Sequence, residues 1–348
     1  MTTLTEVARH AGVTPATVSN VLRKRGRVGE ATRQRVLAAI GELGYRPHLT
    51  ARALAEGRAP TLALMVSSIA NPFYPEFALA AERAARTSGH FMIVCNTNED
   101  PEIGRAYLDQ IAGTLSEGVL VMNANLDFDD LRKTEQRGAP VVLCMWERPD
   151  QPPGLPCVAV DFHAAGALAA QHLLELGHTR IGAIIGSKRR GVHAARYEGF
   201  RAALDAAGVA CPQTQVRFAN DTIRGGYAAA RDLLQNQPEL TAIFASNDLP
   251  ALGAMHAAAD LGVSVPGQLS VIGITDIELA GESRPALSTV AVPTRQGAEM
   301  AVQLLRQLIE RSPAQASADP APMRVTDTPV LVVRASTAAP RGPVSPVG

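Results

Sequence analysis

The sequence predicts a small all-α head carrying a helix-turn-helix, followed by an α/β body of two doubly wound parallel sheets. Three observations carry that reading. Residues Leu4 to Leu22 split into two short helical stretches around a glycine. From Thr61 onward, short apolar runs alternate with helix-length amphipathic segments, the rhythm of a parallel sheet with right-handed crossovers. That rhythm breaks at a proline-rich connector, Pro149 to Pro156, and then restarts. Two sheets in succession imply a cleft between them, lined by the carboxyl ends of their strands.

In the head, Thr3 and Glu6 have capping-box spacing. Gly12 stands where the first helix must stop and turn, and Thr14-Pro15 suits the start of a second. Val18, Val21 and Leu22 share one face and can pack on the first helix, leaving Ala16, Thr17, Ser19 and Asn20 as a small polar outer face. A helix of that kind fits a DNA major groove, although two short helices can also merely cap a core. Charge weighs for DNA. Residues 1–58 hold ten Lys and Arg against four Asp and Glu; with 33 of each in the chain, the remainder holds 23 against 29. A basic head attracts phosphate, and an acidic body is held off it. Arg23-Lys24-Arg25-Gly26-Arg27, beside the second helix, is expected at phosphates. A third helix over Thr32 to Leu43, with Val36, Leu37 and Ile40 on one side, ends at Gly44. Leu49 to Glu56 is amphipathic but too short to be stable alone.

In the body, the strand runs are TLALMV, FMIVC, GVLVM, PVVLC and CVAV, then RIGAII, QVRFA, AIFAS, LSVIGI, LSTVAV and a last strand PVLVV. Helices fall between them, from Glu76 to Thr87 through Gln296 to Glu310, and Ser312 to Pro322 reads as a connector. A hydrophobic content of 46% is ample for such a core in a chain of 348 residues, long enough for more than one domain. There is neither a membrane-length apolar run nor an apolar signal core, so the expected location is the cytoplasm. Cys95, Cys144, Cys157 and Cys211 lack metal-ligand spacing and are expected as buried thiols. An enzyme is the main rival reading, but no G-x-G-x-x-G follows a strand and there is no Walker loop, H-E-x-x-H or nucleophile elbow. No catalytic residue, metal or cofactor is expected, and His178 and His193 are read as structural or surface histidines. A secreted solute-binding protein would share the body but not the basic head.

The N-terminal block, Tyr45-Arg46-Pro47, Ala51-Arg52-x-Leu54, Asn71-Pro72-Phe73, Leu176-Gly177-His178, Asn247-Asp248 and Pro285-x-Leu-x-Thr289 stand in order at the distances of a known family. Over about Leu4 to Thr337 the chain resembles the lactose-repressor (LacI/GalR) family of bacterial transcription regulators. The resemblance implies a periplasmic-binding-protein-like two-lobed body. The head would be 1–47 and the hinge helix and linker 48–60. The N-terminal subdomain would be 61–160 with 292–322, and the C-terminal subdomain 161–291 with 323–340. It implies a homodimer on a pseudo-palindromic double-stranded operator, repressing transcription, with a small-molecule effector between the lobes and no membrane partner.

The family's base-reading positions fall on Pro15, Ala16 and Asn20, of which only Asn20 can pair bidentately with adenine. Thr5, Thr14, Thr17 and Tyr45 match backbone-contacting positions; Ser19 and Arg23 lie beside them. Ala51 and Leu54 fall on the family's hinge helix, with Leu54 as the minor-groove wedge. Asn71, Phe73, Asn123, Trp146, Arg196, Asp221, Asn247 and Thr275 match pocket-lining positions. Met145 and Thr275 stand where sugar-binding members often carry Asp, and Asp221 where an aromatic is common. These departures point away from a neutral sugar and toward a sugar acid or other small organic acid on Arg196, with Asn247 and Thr275 assisting.

Overall fold

The structure is a computed structural model and describes residues 2–22, 26–45, 61–112, 114–122, 125–186, 191–311 and 321–340. The chain divides into two units, Met1–Pro60 and Thr61–Gly348. Arg23, the 49–56 stretch with Ala51 and Leu54, Asn123 and most of the 312–322 connector lie outside the described residues.

In the first unit, helix α1 (Leu4–His10) opens on the expected capping box. Glu6 N–H donates to Thr3 Oγ1 at 3.3 Å, and Thr3 N–H donates to Glu6 Oε2 at 2.7 Å. The box satisfies amides that a first helical turn leaves free. Gly12 turns the chain at φ 65°, a conformation that a Cβ opposes. Helix α2 (Pro15–Leu22) then starts with Thr17 N–H donating to Thr14 Oγ1 at 3.2 Å. With α3 (Glu30–Glu42) they enclose Val7, Ala8, Ala11, Val18, Val21, Val36 and Ala39, and Leu22, Ile40, Leu43 and Tyr45 close the edge. Leu37 departs from the expected face and is 47% exposed. The buried row of α3 runs through positions 36, 39, 40 and 43, the i, i+3, i+4, i+7 series, which leaves position 37 outside.

The second unit holds two six-stranded sheets. The first is built from β1 (Thr61–Val66), β2 (Phe91–Asn96), β3 (Gly118–Met122), β4 (Val141–Trp146), β5 (Cys157–Ala159) and β11 (Met323–Val325), in the order β11-β5-β4-β3-β1-β2, all parallel. Strand β11 corrects the expected boundary. Residues 323–340 were assigned to the second lobe, yet Met323 to Val325 pair with Cys157 to Ala159 in the first sheet. The run is short, polar in its centre and half-exposed at the sheet edge, so it carries no apolar signal. Alternation along β1 and β3 divides the core. Leu62, Leu64, Val66, Leu120 and Met122 face α4 (Phe73–Thr87) and α12 (Thr294–Glu310). Ala63, Met65, Val119 and Val121 face α5 (Pro101–Ile111) and α6 (Phe128–Gln136). On α12, Leu304 and Leu305 are buried, each such leucine contributing ~1.5–3 kcal/mol.

The second sheet contains β6 (Ile181–Ile185), β7 (Val216–Phe218), β8 (Ala242–Ala245), β9 (Ser270–Thr275), β10 (Ser288–Ala291) and β12 (Val330–Val332), ordered β12-β10-β9-β8-β6-β7. All pairs are parallel except β10 with β12, which is antiparallel, so the expected all-parallel sheet has one reversed edge. That reversal follows from β12 entering the lobe directly after β11, without a crossover helix. Two helix pairs flank this sheet: α7 (Phe162–Glu175) with α8 (Val192–Ala206), and α9 (Ile223–Asn236) with α10 (Asp248–Asp260). A five-residue helix, α11 (Glu278–Glu282), follows β9. The chain passes between the lobes three times, after β5, after β10 and between β11 and β12. All four cysteines are free and buried, and burial pushes their thiols up. No helix among the described residues is long and apolar enough to cross a membrane.

Candidate functional site

The outer face of α2 is as expected from its spacing. Thr5, Thr14, Pro15, Ala16 and Asn20 are exposed and Thr17 and Ser19 half-exposed, while Val18 and Val21 are buried beneath them. Gly26, at φ 74°, brings the backbone beside Asn20, whose Nδ2 lies 3.6 Å from the position of a Cβ there. A side chain at position 26 would therefore lie against the Asn20 amide. Tyr45 is half-buried against the head's core, the packing role open to it.

In the second unit, four of the expected cleft residues converge. Arg196, on the first turns of α8, is 1% exposed. Its NH1 donates to the Ser246 carbonyl at 2.6 Å, and its guanidinium lies 4.5 Å over the Phe162 ring. Asn247 caps α10, accepting the Leu249 N–H at 3.2 Å. From the other lobe, Asn71 Nδ2 donates to Asp221 Oδ2 at 2.9 Å, while Asn71 Oδ1 accepts the Phe73 N–H. Two further bonds cross the cleft: Arg148 NH1 to Glu198 Oε2 at 2.9 Å and Glu278 N–H to Glu76 Oε1 at 3.2 Å. Burial raises the Asp221 carboxyl to about 7, against the opposing pull of Arg196. Burial likewise lowers Arg196 to about 10, against Asp221 and Asp248. Among the described residues, neither Asp221 Oδ1 nor Arg196 Nε, both buried, has a hydrogen-bond partner. Orphaned groups of this kind are costly unless something else fills their valence.

Two expected residues stand apart from that cluster. Thr275 donates its hydroxyl to Asp248 Oδ2 at 3.0 Å and lines a depression of about 510 Å³ with Glu76, Asp276, Arg295 and Asp327. Trp146 packs 5.8 Å from Phe128, in the cluster on the α5–α6 face of the first sheet, and donates Nε1–H to the Gln151 carbonyl. The cause is a register shift between Cys144 and Trp146, with Met145 at φ 56°. The irregularity places Cys144 and Met145 together on the α4–α12 face and Trp146 on the other.

Residues read as bystanders join the site. His193, three positions before Arg196 on the same helix, bonds through Nδ1 to Ser246 Oγ at 3.0 Å. Its spacing from Arg196 was the available signal, since i and i+3 share a helix face. Ser246 and Phe162 had no sequence signal beyond their places at the ends of β8 and β5.

The Asp221 value sets a pH dependence with a definite sign. The folded pKa of about 7 lies above the ordinary carboxyl value of about 3.9. Between the two, the folded chain binds the extra proton, so the contribution of this group to stability falls as pH rises and is constant beyond. His193, pushed down to about 3 by burial and then by Arg196, acts in the opposite direction but is common to wild type and variant. The melting temperature of Asp221→Asn relative to wild type is therefore expected to climb across this window and level off above about pH 7. A flat difference would show an ordinary carboxylate.

A helix-turn-helix head on a two-lobed body with a polar cleft defines a ligand-responsive transcription regulator. Residues 3–48 match the model of bacterial regulatory proteins of the lacI family, and residues 59–326 that of periplasmic binding proteins and the sugar binding domain of the LacI family. The chain is 36% identical over 313 residues to the ribose operon repressor of Halalkalibacterium halodurans, covering 90% of this chain and 92% of that one. It resembles the lac repressor dimer bound to operator and the anti-inducer ONPF with a TM-score of 0.85 at 26% identity, covering 97% of this chain and 99% of that one. A LacI family regulator from Enterococcus faecium with bound ribose matches at TM-score 0.70 and 25% identity, covering 81% and 100%. The chain belongs to the lacI family of bacterial regulatory proteins. It is a DNA-binding transcription regulator with an effector-binding body, and not an enzyme.

Proposed function

We propose that the chain represses transcription as a homodimer on a pseudo-palindromic operator in the cytoplasm, on the nucleoid. In this reading α2 lies in the major groove, and a sugar, sugar acid or related metabolite in the cleft sets operator affinity. The observation that carries it is the outer face of α2, where Pro15, Ala16 and Asn20 are exposed over a buried Val18 and Val21. Pro15 has no side-chain donor and Ala16 offers only a methyl contact, so Asn20 carries the direct readout, a bidentate pair with adenine contributing ~1–3 kcal/mol of discrimination. Thr5, Thr14, Thr17, Ser19, Arg23 and Tyr45 set register on the backbone. Ala51 and Leu54 act at the minor groove of a deformable central step. The domain divisions at 47, 60, 160 and 291 serve this arrangement.

Asn71, Phe73, Asn123, Arg196, Asp221 and Asn247 form the effector site, with Trp146 and Thr275 at its margins. A ligand alters operator affinity only through its different affinities for the two arrangements of the lobes. The cross-cleft bonds of Asn71, Arg148 and Glu76 are the contacts such a ligand reinforces or breaks. Asn20→Ala is expected to flatten base preference at one position of each half-site in a binding-site selection, with about 5–150-fold loss of discrimination. Wild-type preference in the variant would remove α2 from base readout. Mapping bound sites across the genome supplies the operator and, through neighbouring genes, the effector.

A further inference from the structure

We propose that His193, held as its Nε2–H tautomer, is a specificity-determining residue of the cleft, reading with Asp221 a neutral hydroxyl of the effector and excluding a carboxylate there. The inference rests on the reading of the cleft as the effector site and narrows the chemistry it accepts.

The tautomer follows from the Ser246 hydroxyl. Gly186 N–H donates to Ser246 Oγ at 3.0 Å, so the remaining bond of that oxygen to His193 Nδ1, also 3.0 Å, is free to carry the hydroxyl proton. Nδ1 then accepts and Nε2 carries the hydrogen. The reverse tautomer would leave the hydroxyl proton without an acceptor among the described residues. Wherever Asp221 is ionised, it would also point an Nε2 lone pair at that carboxylate. The ring is fitted in place as well as bonded, since a Cβ on Gly186 would come within 2.8 Å of three imidazole atoms.

Nε2 stands 3.8 Å from Asp221 Oδ2, too far for a hydrogen bond between them. One oxygen can nevertheless sit within ordinary hydrogen-bond distance of both ends of a base that wide. The group that fits must accept from His193 and donate to Asp221, and a hydroxyl does both. A carboxylate can accept but cannot donate, and wherever Asp221 is ionised it would face a like charge. Among the described residues, Oδ1 of Asp221 and Nε of Arg196 also lack a partner, so the one can take a donor and the other an acceptor. Among the described residues Asp221 opposes Arg196, and the other buried carboxylate, Asp248, is already bonded to Thr275, Ile277 and Thr289.

The test uses the full chain with a panel of neutral aldopentoses and aldohexoses beside the matching aldonates, read by calorimetry and by nitrogen-edited imidazole NMR. A neutral sugar should bind wild type and its aldonate should not. His193→Phe should weaken that sugar at least tenfold, while His193→Gln, which keeps a donor at the same reach, should retain most of the affinity. Ser246→Ala should shift the tautomer signal and weaken binding without removing the imidazole. Wild-type His193 carrying its proton on Nδ1, no neutral sugar binding, an aldonate preferred, or unchanged affinity in His193→Phe would each overturn the proposal. If Arg196→Met abolishes binding while His193→Phe leaves it intact, this proposal alone fails. If the ligand binds regardless of both, the cleft is not the effector site.

Discussion

Gly199→Val is expected to prevent the second lobe from folding at ordinary temperature. Helices α7 and α8 cross with their backbones in contact. A Cβ at Gly199 would stand 1.9 Å from the His163 carbonyl oxygen, and one at Gly166 would stand 1.8 Å from that of Arg196. Both obstacles are backbone atoms, which no rotamer change moves. Overpacking that side chains can relieve costs ~1–3 kcal/mol; this one requires two helices to separate, and the cost lies above that range, against a total stability of ~5–15 kcal/mol. The same crossing holds Arg196 over Phe162, so any soluble fraction should also have lost ligand binding. Urea unfolding followed by circular dichroism checks the first expectation. A midpoint within error of wild type would mean that the crossing is looser than the contacts imply.

The crossing also shows where sequence reasoning reaches its limit. Periodicity alone places these helices over Ala164 to Leu176 and Ala194 to Ala207, within two residues of their ends, and the capping box at Thr3 and Glu6 locates α1 before any packing is known. Such signals are local. The contacts that build the cleft are not: Asn71 reaches Asp221, Arg148 reaches Glu198 and Glu76 meets Glu278, each joining the two lobes. Arg196 was legible because a family pattern marks its position, while its company was not. His193 looked like any helix-surface histidine until Ser246, 53 residues away, was brought to its Nδ1. Trp146 illustrates the opposite failure, since a one-residue irregularity at Met145 moves it across the sheet and leaves no trace in composition. Strand β11 escaped because an edge strand needs no continuous apolar run.

Asp248→Ala carries the second large effect, and comparison with Asp248→Asn separates its causes. The carboxylate is fully buried at the start of α10. Oδ2 accepts from Thr275 Oγ1 and from Ile277 N–H, each at 3.0 Å, and Oδ1 accepts from Thr289 Oγ1 at 2.6 Å. Gly273 makes room for it, since a Cβ there would fall on Oδ1. Three donors on β9, β10 and the turn after β9 thus converge on one side chain, and β10 leads directly into a passage between the lobes. Alanine leaves all three without an acceptor, and removal of one partner from a buried charged network costs ~3–5 kcal/mol. Asparagine can keep its oxygen on Thr275 and Ile277 and turn its amide toward Thr289, whose hydroxyl can accept as well as donate. It also removes a charge that burial disfavours, for burial raises this carboxyl in spite of the three donors. The expected order in thermal melts is therefore wild type close to Asp248→Asn, with Asp248→Ala far below both. If asparagine is as damaging as alanine, the negative charge itself is needed, and Asp248 belongs with Arg196 and Asp221 in the electrostatics of the cleft and not only in the joint between its strands.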